Sequence, residues 1–385
     1  MMWLRLLTAF ALAALCGAAA PYKEEDDLKA VIVLYRHGDR SPLSSWPNDV
    51  YFTNTSLWPD GYGQLNNMGK QRHYQLGKWF RERYDGFLPR KYNYHDIYVR
   101  STDVDRTLMS AASNLAGLYP PEGDQIWNEN LLWQPIPIHT TPEDLDPVLT
   151  TKVECASYDE LFEEFKNSSA YTSLSSGLSD LFQNISALTG YDVNELEVSS
   201  FSGLFSTITI YRHYNLTLPA WTEEYWPVIK YWAAKKGQWH TNTTELSRLR
   251  VGPFFDYILG HLDSIERNSS TATEHLKGPR QQLLQLTDKV TQKFLMLSAH
   301  DTTVADVTNA MRVYVDAVPE FCSTVIWELK TGRTGSYVNM YFKNSTHFTE
   351  LILPDCEFNC PYDDYVRLLE PITLSAEEWA EKCNS

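Results

Sequence analysis

The chain has 385 residues, 43% of them hydrophobic and 13% aromatic, enough to bury a large core and to exclude a disordered or collagen-like polymer. With 33 Lys+Arg against 49 Asp+Glu the formal charge is −16. That balance disfavours a nucleic-acid partner, which needs an extended basic stripe, but it leaves room for a local anion pocket. The length fits one large domain with an insertion or two domains sharing one site, and no solenoid-type repeat or flexible linker divides the chain.

At the N-terminus, Arg5 precedes an apolar run, Leu6 to Leu15, that closes on Ala18, Ala19 and Ala20. This order predicts a signal peptide over residues 1–20, cleaved after Ala20; the run is too short for a membrane span, which takes ~20 apolar residues. Nothing later predicts a span, and the polar stretch Ser375–Ser385 carries neither a transmembrane tail nor a lipid-anchor signal. Seven N-x-S/T sequons, at Asn54, Asn167, Asn184, Asn215, Asn242, Asn268 and Asn344, point the same way. The expectation is a secreted, extracellular glycoprotein, with the lysosomal lumen as the alternative. Beyond the leader the cysteines are Cys155, Cys322, Cys356, Cys360 and Cys383, an odd set that predicts one leftover thiol; Cys356 and Cys360 are close enough to close a small loop.

Ala30–Tyr35 is an apolar, β-rich run of the length of a buried strand, and it stops at Arg36-His37-Gly38-Asp39-Arg40. A second strand is expected over Tyr94–Val99, ending at Arg100, and a third over Phe294–Ser298, ending before His300-Asp301. Helical periodicity follows each, through Leu76, Trp79 and Phe80, through Leu108, Leu115 and Leu118, and through Val304 and Val307. Thr324–Leu329 and Tyr337–Phe342 flank a Gly-bearing turn and predict an antiparallel hairpin at one edge. The expected fold class is α/β: a mixed, mostly parallel sheet covered by helices on both faces, with a smaller helical cap inserted. The core is expected over 21–150 and 251–385 and the cap over 151–250, where strand-like runs fade.

In open α/β sheets ligands bind beyond the carboxyl ends of strands, and all three expected strand ends carry Arg or His. Arg36, Arg40 and Arg100 offer guanidinium forks suited to phosphate oxygens, His37 and His300 offer imidazoles, and Asp301 is the neighbouring acid. Thr102 and Asp105 have the spacing of a capping box for a helix starting near Thr102, whose N-terminus would also face an anion. Taken singly, each arginine is more often a salt-bridge partner and each histidine a structural one; the joint pattern carries the argument. Asp39 is read as an orienting residue behind the site. The remaining histidines, His73, His95, His139, His213, His240, His261, His275 and His347, show no metal-ligand spacing.

The segment Arg36-His37-Gly38-Asp39-Arg40-Ser41-Pro42 matches the RHG-x-R-x-P signature of the histidine acid phosphatases, and His300-Asp301 matches their HD pair. Between them, Arg100–Thr107 and Trp133-Gln134-Pro135-Ile136-Pro137 occur in family order, so the chain resembles this family over nearly its whole expected mature length. It looks similar to the prostatic, lysosomal and secreted insect forms. The resemblance implies a metal-independent acid phosphatase without cofactor, in which His37 is the nucleophile, Arg36, Arg40, Arg100 and His300 hold the phosphoryl oxygens, and Asp301 is the acid. It implies phosphate monoesters as substrates, with phosphoproteins and lysophospholipids among the candidates, and a homodimer contact to which the region of Trp127 and Trp133 can contribute. It implies the disulfides Cys155–Cys383 and Cys356–Cys360 and an unpaired Cys322, because the partner expected for Cys322 is missing from Ser206–Tyr214. The competing functions are a narrower histidine phosphatase acting on inositol phosphates or lysophospholipids, and a non-enzymatic secreted binding protein or antigen on the same fold.

Overall fold

A computed structural model describes residues 26–150, 152–267, 292–313 and 317–383. The expected signal peptide and the Asn268 sequon lie outside the described residues. The central element is β1 (Asp27–Arg36), seven of whose residues form an unbroken buried run from Ala30 to Arg36. Such a run suits a strand covered on both faces. The other strands are β2 (Ile97–Thr102), β3 (His139–Thr141), β4 (Phe294–Ala299), β5 (Thr324–Gly332), β6 (Gly335–Lys343), β7 (Phe348–Leu351) and β8 (Cys360–Pro361). Their order is β3-β2-β4-β1-β5-β6-β7, with β8 on β6. The mixed sheet is therefore present: β1 to β4 pair in parallel, and β5 to β8 add an antiparallel half beginning with the expected hairpin.

Alternation along β1 sends its side chains into two cores. On one face Ala30, Ile32 and Leu34 pack with Phe254, Ile258 and Leu262 of a long helix, Thr244–Glu266, and with Val304 and Val307. On the other, Val31, Val33 and Tyr35 pack with Leu76 and Phe80 of α1 (Asn67–Arg83) and Ala111 and Leu115 of α2 (Asp105–Leu118). Each such aliphatic contributes about 1.5–3 kcal/mol by leaving water. The two helices cross almost backbone to backbone. A Cβ at Gly77 would sit 1.9 Å from the Asn114 carbonyl oxygen, and one at Gly117 would sit 2.1 Å from that of Tyr74.

Between β3 and β4 the described chain is helical: α3 (Ala156–Asn167), α4 (Ser169–Ser176), α5 (Ser179–Thr189), α6 (Ser200–His213), α7 (Trp221–Glu224), α8 (Trp226–Trp239) and α9 (Thr244–Glu266). Phe182, Phe201, Ile208, Tyr211 and Ile229 from this cap form their own cluster, completed by Trp46 and Trp58 from the loop after β1. Helix α9 runs straight through position 250, so cap and sheet share one helix. Three further helices follow, α10 (Asp301–Ala310), α11 (Tyr362–Leu369) and α12 (Ala376–Cys383). A disulfide joins Cys155, before α3, to Cys383 at the end of α12, a second joins Cys356 to Cys360, and Cys322 is a free thiol. Burial pushes the Cys322 thiol up, away from the reactive thiolate. Among the described residues no helix is long and apolar enough to cross a membrane.

Candidate active site

Strand β4 lies between β1 and β2, so the loops leaving these three parallel strands meet in one crevice at their carboxyl ends. Arg36 is the last residue of β1 and is buried, with Nη2 2.9 Å from Asp301 Oδ2 and Nη1 donating to the Pro319 carbonyl at 2.6 Å. Its guanidinium lies 4.1 Å from the centre of the Phe321 ring, which fixes its plane. The backbone N–H of His37 donates to the Ala299 carbonyl, tying the loop to the end of β4. His37 Nδ1 lies 2.8 Å from the Gly38 carbonyl oxygen, so Nδ1 carries the proton and Nε2 keeps its lone pair. Among the described residues Nε2 has no hydrogen-bond partner.

Gly38 is required by the packing. A Cβ there would lie 2.6 Å from the Gly69 carbonyl oxygen, and a Cβ at Gly69 would lie 2.3 Å from that of Asp39, so loop and helix α1 touch through their backbones. Arg40 donates to the Ser41 carbonyl at 3.0 Å and to Ser206 Oγ of cap helix α6 at 3.2 Å. Asp39 is turned elsewhere. Its buried carboxylate lies 2.8 Å from His213 Nδ1 and 3.4 Å from Arg72 Nε.

His300 ends the β4 loop as the N-cap residue of α10, and Asp301 opens the helix. Asp301 Oδ1 accepts from the Thr302 N–H at 2.9 Å while Oδ2 faces Arg36. His300 Nε2 lies 3.0 Å from Thr102 Oγ1 and its Nδ1 3.4 Å from Arg106 Nη2. A consistent tautomer donates Nε2–H to Thr102, whose hydroxyl passes the chain to Thr107 and on to the Val104 carbonyl. The rings of His37 and His300 stand edge to face, 5.6 Å apart.

The electrostatics follow from this crowding. Burial first, then Arg36, His300, Arg40 and Arg106, hold His37 well below the usual imidazole range. Burial and Arg106 push His300 down to about 3, and burial and Arg36 push Arg40 down to about 9. At Asp301 burial acts to raise the pKa, but Arg36, Arg40 and His300 outweigh it and hold the carboxyl below its ordinary value. The result is two neutral imidazoles among three cations and one ionised carboxylate.

Arg100 does not join them. The second strand ends at Thr102 rather than at Arg100, which places Arg100 inside β2, in register with His139 and Leu297. Its Nη2 is 2.6 Å from Asp146 Oδ1, in a buried pair, and its guanidinium lies over the Tyr257 ring. The cation from this segment is Arg106, in the first turn of α2, a residue the sequence reading missed. The polar end of β2, Ser101-Thr102, gives no apolar signal, and the strand looks finished too early. The capping box is absent for the same reason: α2 starts at Asp105 behind Val104, which makes no side-chain cap, and Thr102 serves His300 and Thr107 instead. Among the described residues no group of three or more His, Cys, Asp or Glu side chains is placed to hold a metal ion.

A cavity of about 260 Å³ opens on this crevice. Arg36, Arg40 and Asp301 form its floor, and Ser202 and Ser206 of α6 with Lys236 of α8 form its roof. The arrangement presents fixed positive donors to an anion, with the unprotonated Nε2 of His37 and the Asp301 carboxyl at the same strand ends.

The architecture is shared with phytases of known structure. The phytase from Citrobacter braakii superposes with a TM-score of 0.65 at 16% identity, covering 90% of this chain and 98% of that one. The Hafnia alvei phytase in complex with myo-inositol hexakis sulphate gives 0.65 at 16%, covering 92% and 98%. The sequence profile of the histidine phosphatase superfamily (branch 2) matches residues 27–348, and the chain belongs to that family. It is a phosphatase, and its curated relatives include the lysosomal acid phosphatase of Xenopus laevis, 36% identical over 97% of this chain and 83% of that protein. The human prostatic acid phosphatase is 33% identical over 93% and 88%.

Proposed function

We propose that the protein is a secreted, metal-independent acid phosphatase that hydrolyses phosphate monoesters through a phosphohistidine on His37. The observation that carries this reading is the state of His37: a buried, neutral imidazole whose Nδ1–H is held by the Gly38 carbonyl and whose Nε2 is unengaged. Around it Arg36, Arg40 and Arg106 supply fixed positive charge for the equatorial oxygens of a transferring phosphoryl group. His300 orders Arg106 through its Nδ1.

In the first half-reaction Nε2 gives its lone pair to phosphorus, the bond from phosphorus to the leaving oxygen breaks, and Asp301 donates its proton to that oxygen. The ring gains positive character, and its Nδ1–H to the Gly38 carbonyl becomes a charge-assisted bond. In the second, water attacks phosphorus, the P–N bond breaks, Asp301 takes a proton from the water and phosphate leaves. Acidity favours the acid and spares the nucleophile. His37 stays unprotonated well below pH 6.5 because its pKa is lowered, and Asp301 gains its proton only as pH falls, all the more once a phosphate on Arg36 and Arg40 offsets their charge. kcat/KM is therefore expected to decline as pH rises.

Export is supported by the leader-like N-terminus, the two disulfides and the sequons, five of which, Asn54, Asn167, Asn184, Asn215 and Asn242, are exposed. Residues 21–150 and 251–385 are read as the catalytic core and 151–250 as the cap that roofs it. The test is hydrolysis of p-nitrophenyl phosphate from pH 4 to pH 8 with EDTA present, on wild type, His37→Ala and Asp301→Asn. Activity that survives EDTA and disappears in His37→Ala supports the reading. Loss of wild-type activity in EDTA overturns its metal-independence, and a folded but inactive wild type makes a binding protein of it.

A further inference from the structure

Of the site residues Arg36, Arg40 and Asp301 line the cavity, so with a phosphoryl group held by the two arginines the rest of the cavity is left to the leaving group. That part mixes apolar and polar features: Ser202, Gly203, Phe205 and Ser206 come from α6, and Ala233, Lys236 and Gly237 from α8, so Lys236 is its one cation among the described residues. Lys236 stands out because the two carboxylates that act on it most strongly are already engaged, and Glu197, the weakest of the three, makes no ion pair or hydrogen bond with it. Asp301 pairs with Arg36 at 2.9 Å, and Asp306 pairs with Arg250 at 2.9 Å and His240 at 3.2 Å. Among the described residues no carboxylate makes an ion pair or hydrogen bond with Lys236 Nζ. An ammonium lining a cavity without an ion-pair partner among the described residues is poised to gain from an incoming anion.

We propose that Lys236 is a specificity-determining residue that binds a second anionic group, a carboxylate or a second phosphate, carried by the leaving group of the monoester. The proposal rests on the phosphatase reading above and names the substrate class of that same site. Desolvation in the cavity lowers the pKa of Lys236, and a bound anion reverses that shift, so the contact strengthens when the substrate is present. Gly237 and Gly203 leave the neighbouring walls without side chains, and the serine hydroxyls offer further donors beside Lys236.

The test compares matched substrate pairs that differ by one anion, in wild type, Lys236→Met and Lys236→Arg. The short pair is 3-phosphoglycerate and glycerol 3-phosphate, which differ by a carboxylate in place of a hydroxymethyl group. The long pair is 4-carboxyphenyl phosphate and phenyl phosphate. For each protein the quantity read is the ratio of kcat/KM within a pair, which cancels folding, active fraction and the shared phosphoryl chemistry. In at least one pair Lys236→Met is expected to lower the ratio about tenfold relative to wild type, the size of one charge-assisted contact, while Lys236→Arg retains most of it. Ratios unchanged by Lys236→Met in both pairs overturn the proposal while leaving the phosphatase reading intact. A wild type that hydrolyses none of the four substrates, nor p-nitrophenyl phosphate, overturns the phosphatase reading itself.

Discussion

Two arginine–carboxylate pairs stand two strands apart in the same sheet, and they do opposite work. Arg36 and Asp301 meet at 2.9 Å at the carboxyl ends of β1 and β4, with 31% of the Asp301 side chain exposed to the cavity. Arg100 and Asp146 meet at 2.6 Å inside the fold, with Asp146 fully buried and accepting as well from the Val148 and Leu149 N–H groups. At Asp146 burial prevails over Arg100 and raises the pKa, whereas at Asp301 the surrounding cations prevail and lower it. A sealed pair of this kind secures a loop to a strand. An open pair, whose carboxylate is accessible and whose arginine has neighbours of like charge, is available for chemistry.

The largest effect that sharpens this contrast is expected at the open site. His37→Ala lowers kcat/KM for p-nitrophenyl phosphate by more than about a thousandfold with the thermal midpoint little changed, since the removed group is the nucleophile. Steady-state kinetics beside a melting curve read both. Asp301→Asn lowers hydrolysis of an alkyl phosphate by about 10²–10⁴-fold and that of p-nitrophenyl phosphate less, because p-nitrophenolate leaves without a proton. Equal losses on both substrates contradict the acid role.

The two arginines of the Arg100–Thr107 segment then separate stability from turnover. Arg106→Met is expected to cut kcat/KM by about 10²–10³-fold with little loss of stability, as one fixed donor to developing charge is removed. Arg100→Met is expected to destabilise by about 3–5 kcal/mol in urea unfolding, because it strands the buried Asp146, with the folded fraction keeping most of its kcat/KM. If Arg100→Met is instead a stable, inactive protein, the sealed pair belongs to the site. The smallest effect concerns covalent structure: thiol titration of denatured, unreduced mature protein finds one thiol per chain, Cys322. Three thiols would mean that one of the two disulfides is missing.

Much of this was legible in the sequence. The apolar run Ala30–Tyr35 announces a strand buried on both faces, and the abrupt change at Arg36 announces where it ends. The cluster Arg36, His37, Arg40, His300 and Asp301 follows from the ends of two such strands, β1 and β4, lying side by side. Arg106 was hidden because β2 closes on polar residues. A three-residue slip in that strand exchanges an arginine inside the sheet for one at the head of a helix, and periodicity holds no information to correct it. The cap roof was equally hidden, since Ser206 and Lys236 are ordinary surface-type residues until α6 and α8 are laid over the crevice. The contribution of Trp46 and Trp58 to the cap core is long-range packing between segments more than a hundred residues apart, which no local pattern reports.

The central claim is that His37 carries the phosphoryl group, and trapping that intermediate tests it most directly. Enzyme mixed with a ³²P-labelled monoester, quenched in alkali within milliseconds and digested, should yield one labelled peptide containing His37, stable to base and released by acid. His37→Ala should retain no label. Label on any other residue, or complete turnover by wild type with no covalent phosphate at any quench time, would contradict the account.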